Sequence, residues 1–184
     1  MPTEKTRYDA VAQVLHWGTA IAIVAAFILI QSIEDMPRGP EKAALMDLHK
    51  SLGVTVLALT AARLAWRWIS PPPALPPGTA PWAGFAAAAG HGLLYALMLA
   101  VPLSGLVMAW AGGRPVEVFG LFTLPSLLGA SPDLKEAMEE VHEVVGTGIM
   151  ILAGLHAAVA LVHQWVLCDG TLTRMLPGRA GQGA

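Results

Sequence analysis

Charged residues are scarce in this chain of 184 residues, where Asp, Glu, Lys and Arg together make up only 13%. Soluble domains are typically about a quarter charged, and the mean hydropathy here is +0.58. The low charge therefore excludes an ordinary soluble domain, and the hydrophobic content of 55% excludes an intrinsically disordered chain. A net charge of −2 without a basic stripe argues against a nucleic-acid binder.

Cysteine is nearly absent as well. The single thiol, Cys168, can form neither an intrachain disulfide nor a CxxC redox pair. The C-x-x-C-H sequence that attaches a c-type haem covalently is also missing. A cofactor in this chain must therefore be held by other side chains, and the six histidines are the candidates.

Long apolar runs dominate the rest of the sequence. Four stretches are long enough to cross a bilayer, which takes about 20 residues of α-helix. They cover approximately residues 10–31, 45–68, 82–111 and 141–167. The sequence therefore predicts an all-α membrane protein, a bundle of four transmembrane helices that forms one domain over residues 1–184. Ser131 followed by Pro132 predicts that the last helix begins outside the bilayer.

The basic residues indicate an orientation, because the cytoplasmic ends of spans carry an excess of Lys and Arg. Both termini and the loop after the second span would share one side, which carries Lys5, Arg7, Arg63, Arg67, Arg174 and Arg179. The other side carries five basic residues among ten acidic ones. The counts of six and five decide little, but Arg63 and Arg67 lie beside Trp66 and Trp68 at one helix end, and we therefore expect both termini in the cytoplasm. A further apolar stretch, residues 116–130, is interrupted by Gly120 and Pro125 and is expected to lie in the outer interface.

The histidines share one property, which is that each lies in or at the edge of a predicted span. They are His16, His49, His91, His142, His156 and His163. Ionisable residues inside a membrane are costly and usually functional. A lone buried histidine is as often a structural residue bonded to a carbonyl as a ligand, but six in four spans indicate a common role.

The interval between His142 and His156 is the most informative spacing. Fourteen residues at 100° each return almost to the same face of a helix, and they separate the two side chains by about 21 Å along its axis. One metal ion cannot bind both, since a ligand nitrogen lies about 2 Å from its metal. Two stacked cofactors, one towards each membrane surface, fit this spacing.

Each of these two histidines then needs a partner at the same depth. His49 begins the second span on the side where His142 begins the fourth, and His16 lies at a depth similar to that of His156. Pairs of histidines from facing bundle helices hold low-spin b-type haem with both axial positions filled. The sequence thus predicts an outer haem between His49 and His142 and an inner haem between His16 and His156.

For each of three further residues, the sequence is consistent with two or three different roles. Arg63 follows His49 by 14 residues, and it either reaches a propionate of the inner haem or extends to the cytoplasmic interface with Arg67. His163 binds a quinone carbonyl or a propionate, or lies in the interface. His91 is a haem ligand, a quinone or propionate contact, or a structural residue.

In order and spacing, these residues resemble the bacterial cytochrome b561 family of small di-haem membrane cytochromes. The resemblance extends over nearly the whole chain and rests on Leu15-His16-Trp17, His49-Lys50-Ser51-Leu52-Gly53, Arg63-Leu64-Ala65-Trp66-Arg67, Pro102-Leu103-Ser104-Gly105, and His142, His156 and His163 before Asp169-Gly170-Thr171-Leu172. It implies two haem b groups, held by the same histidine pairs, in a multi-pass protein of the bacterial inner membrane. Many relatives have a second histidine directly after the position of His163, where this chain has Gln164.

The resemblance implies electron transfer across the membrane, coupled to the quinone pool with ubiquinone as the substrate. One version is a superoxide:ubiquinone oxidoreductase, and another is a haem subunit that serves a separate dehydrogenase or a periplasmic redox protein. A metal or proton transporter with buried histidines is the alternative from another class. Membrane lipid is an expected partner. The acidic outer segments would repel superoxide, unless Lys50, Arg38 and Arg114 line a local positive path.

Overall fold

The computed structural model describes residues 5–76 and 78–178, so Arg179 of the charge comparison lies outside the described residues. The elements are α1 (Ala10–Ile33), α2 (Pro40–Ile69), α3 (Pro81–Ala111), β1 (Val116–Val118), β2 (Phe122–Leu124) and α4 (Pro132–Trp165). All four helices are long and apolar enough to span a membrane. The predicted bundle of four membrane-spanning helices is therefore confirmed.

The local sequence determines where the helices begin. Asp9 caps α1 by accepting a hydrogen bond from the backbone N–H of Ala12 at 3.0 Å. Ser131 caps α4 in the same way, as predicted, through the N–H of Leu134. The helices α2, α3 and α4 each have a proline in their first turn, where the missing N–H would have no helical partner in any case.

The outward faces of the helices are apolar. Large side chains on these faces, such as Val14, Ile21, Val144 and Leu155, are more than half exposed in the isolated chain. Small polar side chains, including Thr19, are buried between the helices instead. This distribution is typical of membrane bundles, in which lipid covers the apolar surface and small residues let the helices approach each other.

The helices pack as two helical hairpins, each made of two consecutive helices. The first pairs α1 with α2, the second pairs α3 with α4, and contacts between α2 and α3 join the two. The backbone of α4 makes no close approach to that of α1 or of α2. We call the region between α4 and these two helices the interhelical space.

The two ends of the bundle differ in character. At one end, which we call the terminal side, the backbone N–H of Tyr8 bonds to the carbonyl of Arg174, and the indole of Trp17 donates to the carbonyl of Met175. The Arg174 guanidinium donates to the carbonyl of Ala74 in the proline-rich loop. The N-terminal segment, this loop and the C-terminal segment thus lie together, as the sequence predicts.

The opposite end, the hairpin side, carries a β-hairpin that the sequence analysis missed. The strands β1 and β2 pair antiparallel, with Val116 opposite Leu124. The turn uses Phe119 and Gly120 at φ values of 52° and 67°, a conformation that is free for glycine and strained for phenylalanine. Val116 and Val118 are buried where β1 lies on α2.

One buried hydroxyl holds this hairpin on α2. Ser51 Oγ accepts a hydrogen bond from the N–H of Phe119 at 2.9 Å and donates to the carbonyl of Asp47 at 2.8 Å. The residue is only 1% exposed and follows His49 by two positions. The strained turn is therefore fixed on α2 close to His49.

We expect Ser51→Ala to lower the melting temperature of the purified holoprotein, because the N–H of Phe119 loses its acceptor, at a cost of about 1 kcal/mol or more. Ser32→Ala is the matched control, since it removes an exposed hydroxyl that also bonds to the carbonyl four residues earlier. Its effect should stay below about 0.5 kcal/mol. Equal thermal unfolding of the two variants in detergent would contradict an anchoring role for Ser51.

Candidate histidine-pair sites

The two histidines predicted to hold the outer haem meet on the hairpin side. His49 of α2 and His142 of α4 face each other across the interhelical space, with ring centroids 6.3 Å apart and an interplanar angle of 82°. Both imidazoles are partly buried. The structure thus brings together two residues that spacing and depth alone had paired.

Each of these two rings is held by a hydrogen bond between its Nδ1 and a backbone carbonyl. Nδ1 of His49 lies 2.9 Å from the carbonyl oxygen of Ala26, and Nδ1 of His142 lies 2.9 Å from that of Val101. Because a carbonyl only accepts, each Nδ1 carries the hydrogen, and Nε2 of the neutral ring keeps its lone pair. Metal-binding histidines typically have this arrangement, with the second nitrogen donating to a carbonyl.

The helix α3 shapes the position of the His142 ring. Ser104 Oγ lies 3.1 Å from Nδ1 of His142 and donates to the carbonyl of Val101 at 2.8 Å. The next residue is Gly105, where an added Cβ would lie 3.1 Å from Cε1 of His142. Even alanine at this position would require the imidazole to shift, so the glycine provides the room that the ring needs.

The two histidines predicted to hold the inner haem meet on the terminal side. His16 of α1 and His156 of α4 also have ring centroids 6.3 Å apart, with an interplanar angle of 56°. A third imidazole, His91 of α3, packs edge-on against His156 with centroids 5.4 Å apart. His156 therefore has histidine neighbours from two different helices.

The Arg63 side chain lies inside the bundle. Its Nη2 is 3.3 Å from Nδ1 of His16, and the guanidinium carbon is 5.3 Å from the centroid of the Tyr95 ring. Arg67, one turn later, is exposed. Among the described residues, no Asp or Glu forms an ion pair with Arg63.

His163 lies apart from both pairs, in the last turn of α4. Its Nδ1 is 2.5 Å from Oδ2 of Asp169, whose Oδ1 accepts the N–H of Thr171 at 2.9 Å. Burial acts to raise the pKa of Asp169, but the hydrogen bonds from Thr171 and His163 outweigh it and lower that pKa to about 2. Helical spacing in the sequence does not predict this contact, because Asp169 follows the end of α4.

The geometry of the pairs fits a metal held between two imidazoles. A metal–nitrogen bond measures about 2 Å and the ring centre lies about 1 Å beyond the nitrogen, so two opposite ligands have centroids about 6 Å apart. Both pairs have this separation. Gly53 and Gly146 each lie one turn from a ring of the hairpin-side pair, and a Cβ added at either glycine would meet no atom within 4 Å. Such clearance beside two ligands suits a flat macrocycle.

The contact between Asp169 and His163 predicts a pH-dependent contribution to stability. The pKa of Asp169 falls from 3.8 to about 2 in the folded protein, so this contribution is present above pH 3.8 and is lost as the pH falls towards 2. We expect Asp169→Asn to lower the melting temperature of the holoprotein at pH 5, and the difference from wild type to shrink towards pH 2. The control is Asp35→Asn, at an exposed loop residue on the hairpin side. A difference that is constant over this pH range would contradict the assignment.

Comparison with known proteins agrees with this geometry. A family model described as prokaryotic cytochrome b561 matches residues 7–178. The chain is 35% identical over 176 residues to cytochrome b561 homolog 2 of Escherichia coli (strain K12), across 92% of this chain and 91% of that protein. It is 33% identical over 183 residues to cytochrome b562 of Cereibacter sphaeroides, across 96% and 99% of the two chains. It is 29% identical over 175 residues to a Yersinia pestis protein named probable superoxide oxidase CybB, across 95% and 98%.

The family match covers the four helices, the β-hairpin and all six histidines. Two of these relatives exceed 30% identity over more than nine tenths of both chains. The chain therefore belongs to the prokaryotic cytochrome b561 family, whose members are membrane electron-transfer proteins that bind b-type haem.

Proposed function

We propose that this protein carries electrons across the bacterial inner membrane through two bis-histidine b-type haems and delivers them to a quinone. The observation that carries the proposal is the repeated imidazole arrangement, with ring centroids 6.3 Å apart on both sides of the bundle. The two histidines of α4 are about 21 Å apart along the helix axis. Two layers near opposite membrane surfaces favour electron transfer over a transporter, whose site typically lies near the midplane.

Four histidines are proposed as the haem ligands. His49 and His142 would hold one haem, and His16 and His156 would hold the other. A b-type haem held by two of these histidines would supply a one-electron iron couple. With both imidazoles bound, it would not take up oxygen or carbon monoxide, and it would therefore suit an electron carrier.

The two haem sites differ in how Nδ1 is held. The carbonyl of Ala26 accepts the Nδ1 hydrogen of His49, so Nε2 is ready to bind iron without loss of a proton. The neighbour of Nδ1 in His16 is Arg63, which has only donors. If Nε2 of His16 held haem iron, Nδ1 would carry the hydrogen, and two donors would face each other. An anionic group that attracts the guanidinium relieves this conflict, which supports the prediction that Arg63 binds a haem propionate.

The quinone is proposed to bind on the terminal side, near His163. Asp169 accepts the Nδ1 hydrogen of this histidine, so Nε2 would donate to a quinone carbonyl when it too carries a hydrogen. The ionised carboxylate also balances the charge of a protonated imidazole, whose Nε2–H can donate to the carbonyl oxygen. His91, beside His156, is a second candidate for contact with the quinone or with a propionate.

The terminal side is proposed to face the cytoplasm, because Arg63 and Arg67 lie beside Trp66 and Trp68 at this end of α2, whereas the counts of basic residues on the two sides, six and five, are nearly equal. Electrons would then come from the periplasm, at the hairpin side. The name of the Yersinia pestis relative supports superoxide as the donor. The pairing of Lys50 with Asp47 and of Lys135 with Glu139 neutralises cations that would attract this anion, and it favours the alternative donor, a redox protein or a dehydrogenase subunit.

A reduced-minus-oxidised spectrum with pyridine haemochrome quantification tests the haem assignment. We expect two b haems per chain and no spectral change with carbon monoxide. His156→Ala and His142→Ala should each abolish a different b-type component, because each removes one axial ligand. His163→Ala is the control and should retain both. A folded preparation made with adequate haem that contains fewer than two haems per chain would contradict the proposal.

Quinone coupling is tested by the rate at which a soluble ubiquinone analogue oxidises the chemically reduced haems. We expect His163→Ala to lower this rate at least tenfold without loss of haem, because a carbonyl contact is removed. A rate equal to that of wild type would exclude the proposed role of His163. In the same preparation, haem reduction by enzymatically generated superoxide would identify superoxide as a donor, and its absence would favour a redox partner.

A further inference from the structure

The two histidine pairs have electrostatic surroundings of opposite sign. On the hairpin side, Nδ1 of each ring faces the negative end of a carbonyl dipole, from Ala26 or from Val101. On the terminal side, the positive guanidinium of Arg63 lies 3.3 Å from Nδ1 of His16. The two imidazole pairs therefore differ in the sign of the charge that lies next to Nδ1.

The charge of Arg63 is not cancelled by a carboxylate among the described residues. A small cavity of about 40 Å³ beside it has no acidic residue among the described residues that line it. Asp9, also on the terminal side, directs its oxygens to the N–H of Ala12, the indole of Trp66 and the hydroxyl of Ser70. Since Arg63 is partly buried, its charge acts through a medium of low dielectric constant and is felt strongly nearby.

The hairpin-side pair also has a cation beside it in the sequence, but the charge of that cation is neutralised. Lys50 follows His49 directly, but it forms an ion pair with Asp47, so the two charges largely cancel at a distance. Hydrogen bonds from Nδ1 to carbonyls also make the imidazoles more basic ligands. The neutralised charge of Lys50 does not oppose the oxidised, more positive form of an iron held there, and the more basic imidazoles stabilise that form.

We infer that Arg63 raises the reduction potential of the terminal-side haem above that of the hairpin-side haem and so directs electrons from the hairpin side to the terminal side. This inference rests on the proposed function, because it requires both haems. In the transfer, one electron would pass from the haem held by His49 and His142 to the haem held by His16 and His156, so that one iron would be oxidised as the other is reduced. No bond is formed or broken, and no proton moves.

The sign of the effect does not depend on which group Arg63 contacts in the loaded protein. Whether the guanidinium faces the His16 ring or a haem propionate, its removal leaves the surroundings of that iron one charge more negative. A more negative environment stabilises the oxidised iron and lowers its potential. The inference therefore holds for both arrangements.

Redox titration of the purified holoprotein, followed by its b-type absorption bands, tests the order of the two potentials. We expect the terminal-side haem to be favoured at least tenfold in the electron-sharing equilibrium, a midpoint difference of about 59 mV or more. His142→Ala, which leaves the terminal-side haem, and His156→Ala, which leaves the hairpin-side haem, assign the two midpoints. Equal midpoints or the reverse order would overturn the inference.

Variants of Arg63 test the cause. Arg63→Met removes the charge and should shift the terminal-side equilibrium at least tenfold towards the oxidised iron, while Arg63→Lys retains the charge and should keep more than half of the midpoint difference. Arg67→Met is the matched control, one turn later on the same helix and exposed, and it should change the equilibrium less than threefold because solvent screens its charge. A terminal-side midpoint that is unchanged in Arg63→Met would refute the role of this residue.

The outcomes separate this inference from the proposed function. Two haems per chain whose midpoints do not respond to Arg63 would refute the inference and leave the function intact. Fewer than two haems in the wild type would overturn both. If Arg63→Met loses the terminal-side haem, the wild-type order of midpoints and the Arg63→Lys variant decide the inference.

Discussion

One face of one helix contributes to both histidine pairs. Because fourteen residues of α-helix nearly complete four turns, His142 and His156 point in the same direction at two depths. The partners then come from α2 on the hairpin side and from α1 on the terminal side. The helix α3 contributes support instead, through the Val101 carbonyl and the space at Gly105. The packing of the bundle as two hairpins follows from this division, since α4 must stay at a distance from the helices that face it.

A polar ring inside a membrane needs a partner for each nitrogen, and the two sites meet this need differently. The hairpin-side rings have carbonyl acceptors for their Nδ1 hydrogens before any metal binds, so Nε2 of each ring keeps a free lone pair. The His16 ring faces a guanidinium instead, which must move or find an anion when that nitrogen becomes a donor. The hairpin-side site is therefore the more preorganised one. If His16 holds haem iron as proposed, the terminal-side site would couple haem binding to a rearrangement of Arg63.

Much of this architecture was predictable from periodicity. Runs of apolar residues predict the four spans, the Ser131–Pro132 pair predicts the start of α4, and equal depth predicts which histidines meet. Such patterns predict only the face and the depth of a residue within its own helix. They do not report which neighbour a third residue meets, so the contacts of His91 with His156 and of Arg63 with His16 came only from the structure.

The β-hairpin escaped prediction for a different reason. Its turn depends on Phe119 in a conformation that phenylalanine rarely adopts, and a hydroxyl from a distant helix stabilises it. Local propensity carries no signal for such a turn. The alternation of Val116 and Val118 on one side of Gly120, with Phe122 and Leu124 on the other, was the available clue, but a three-residue strand is too short to separate from an irregular apolar loop.

The position of α4 in the chain has a consequence for biogenesis. Each imidazole pair contains one histidine of α4, the last helix to be synthesised. Neither pair can therefore form while the first three helices are being inserted. A nascent chain that stops before residue 142 contains His16 and His49 without either partner. Haem capture by the proposed pairs would therefore follow the insertion of α4, and a product truncated before residue 142 would contain neither pair.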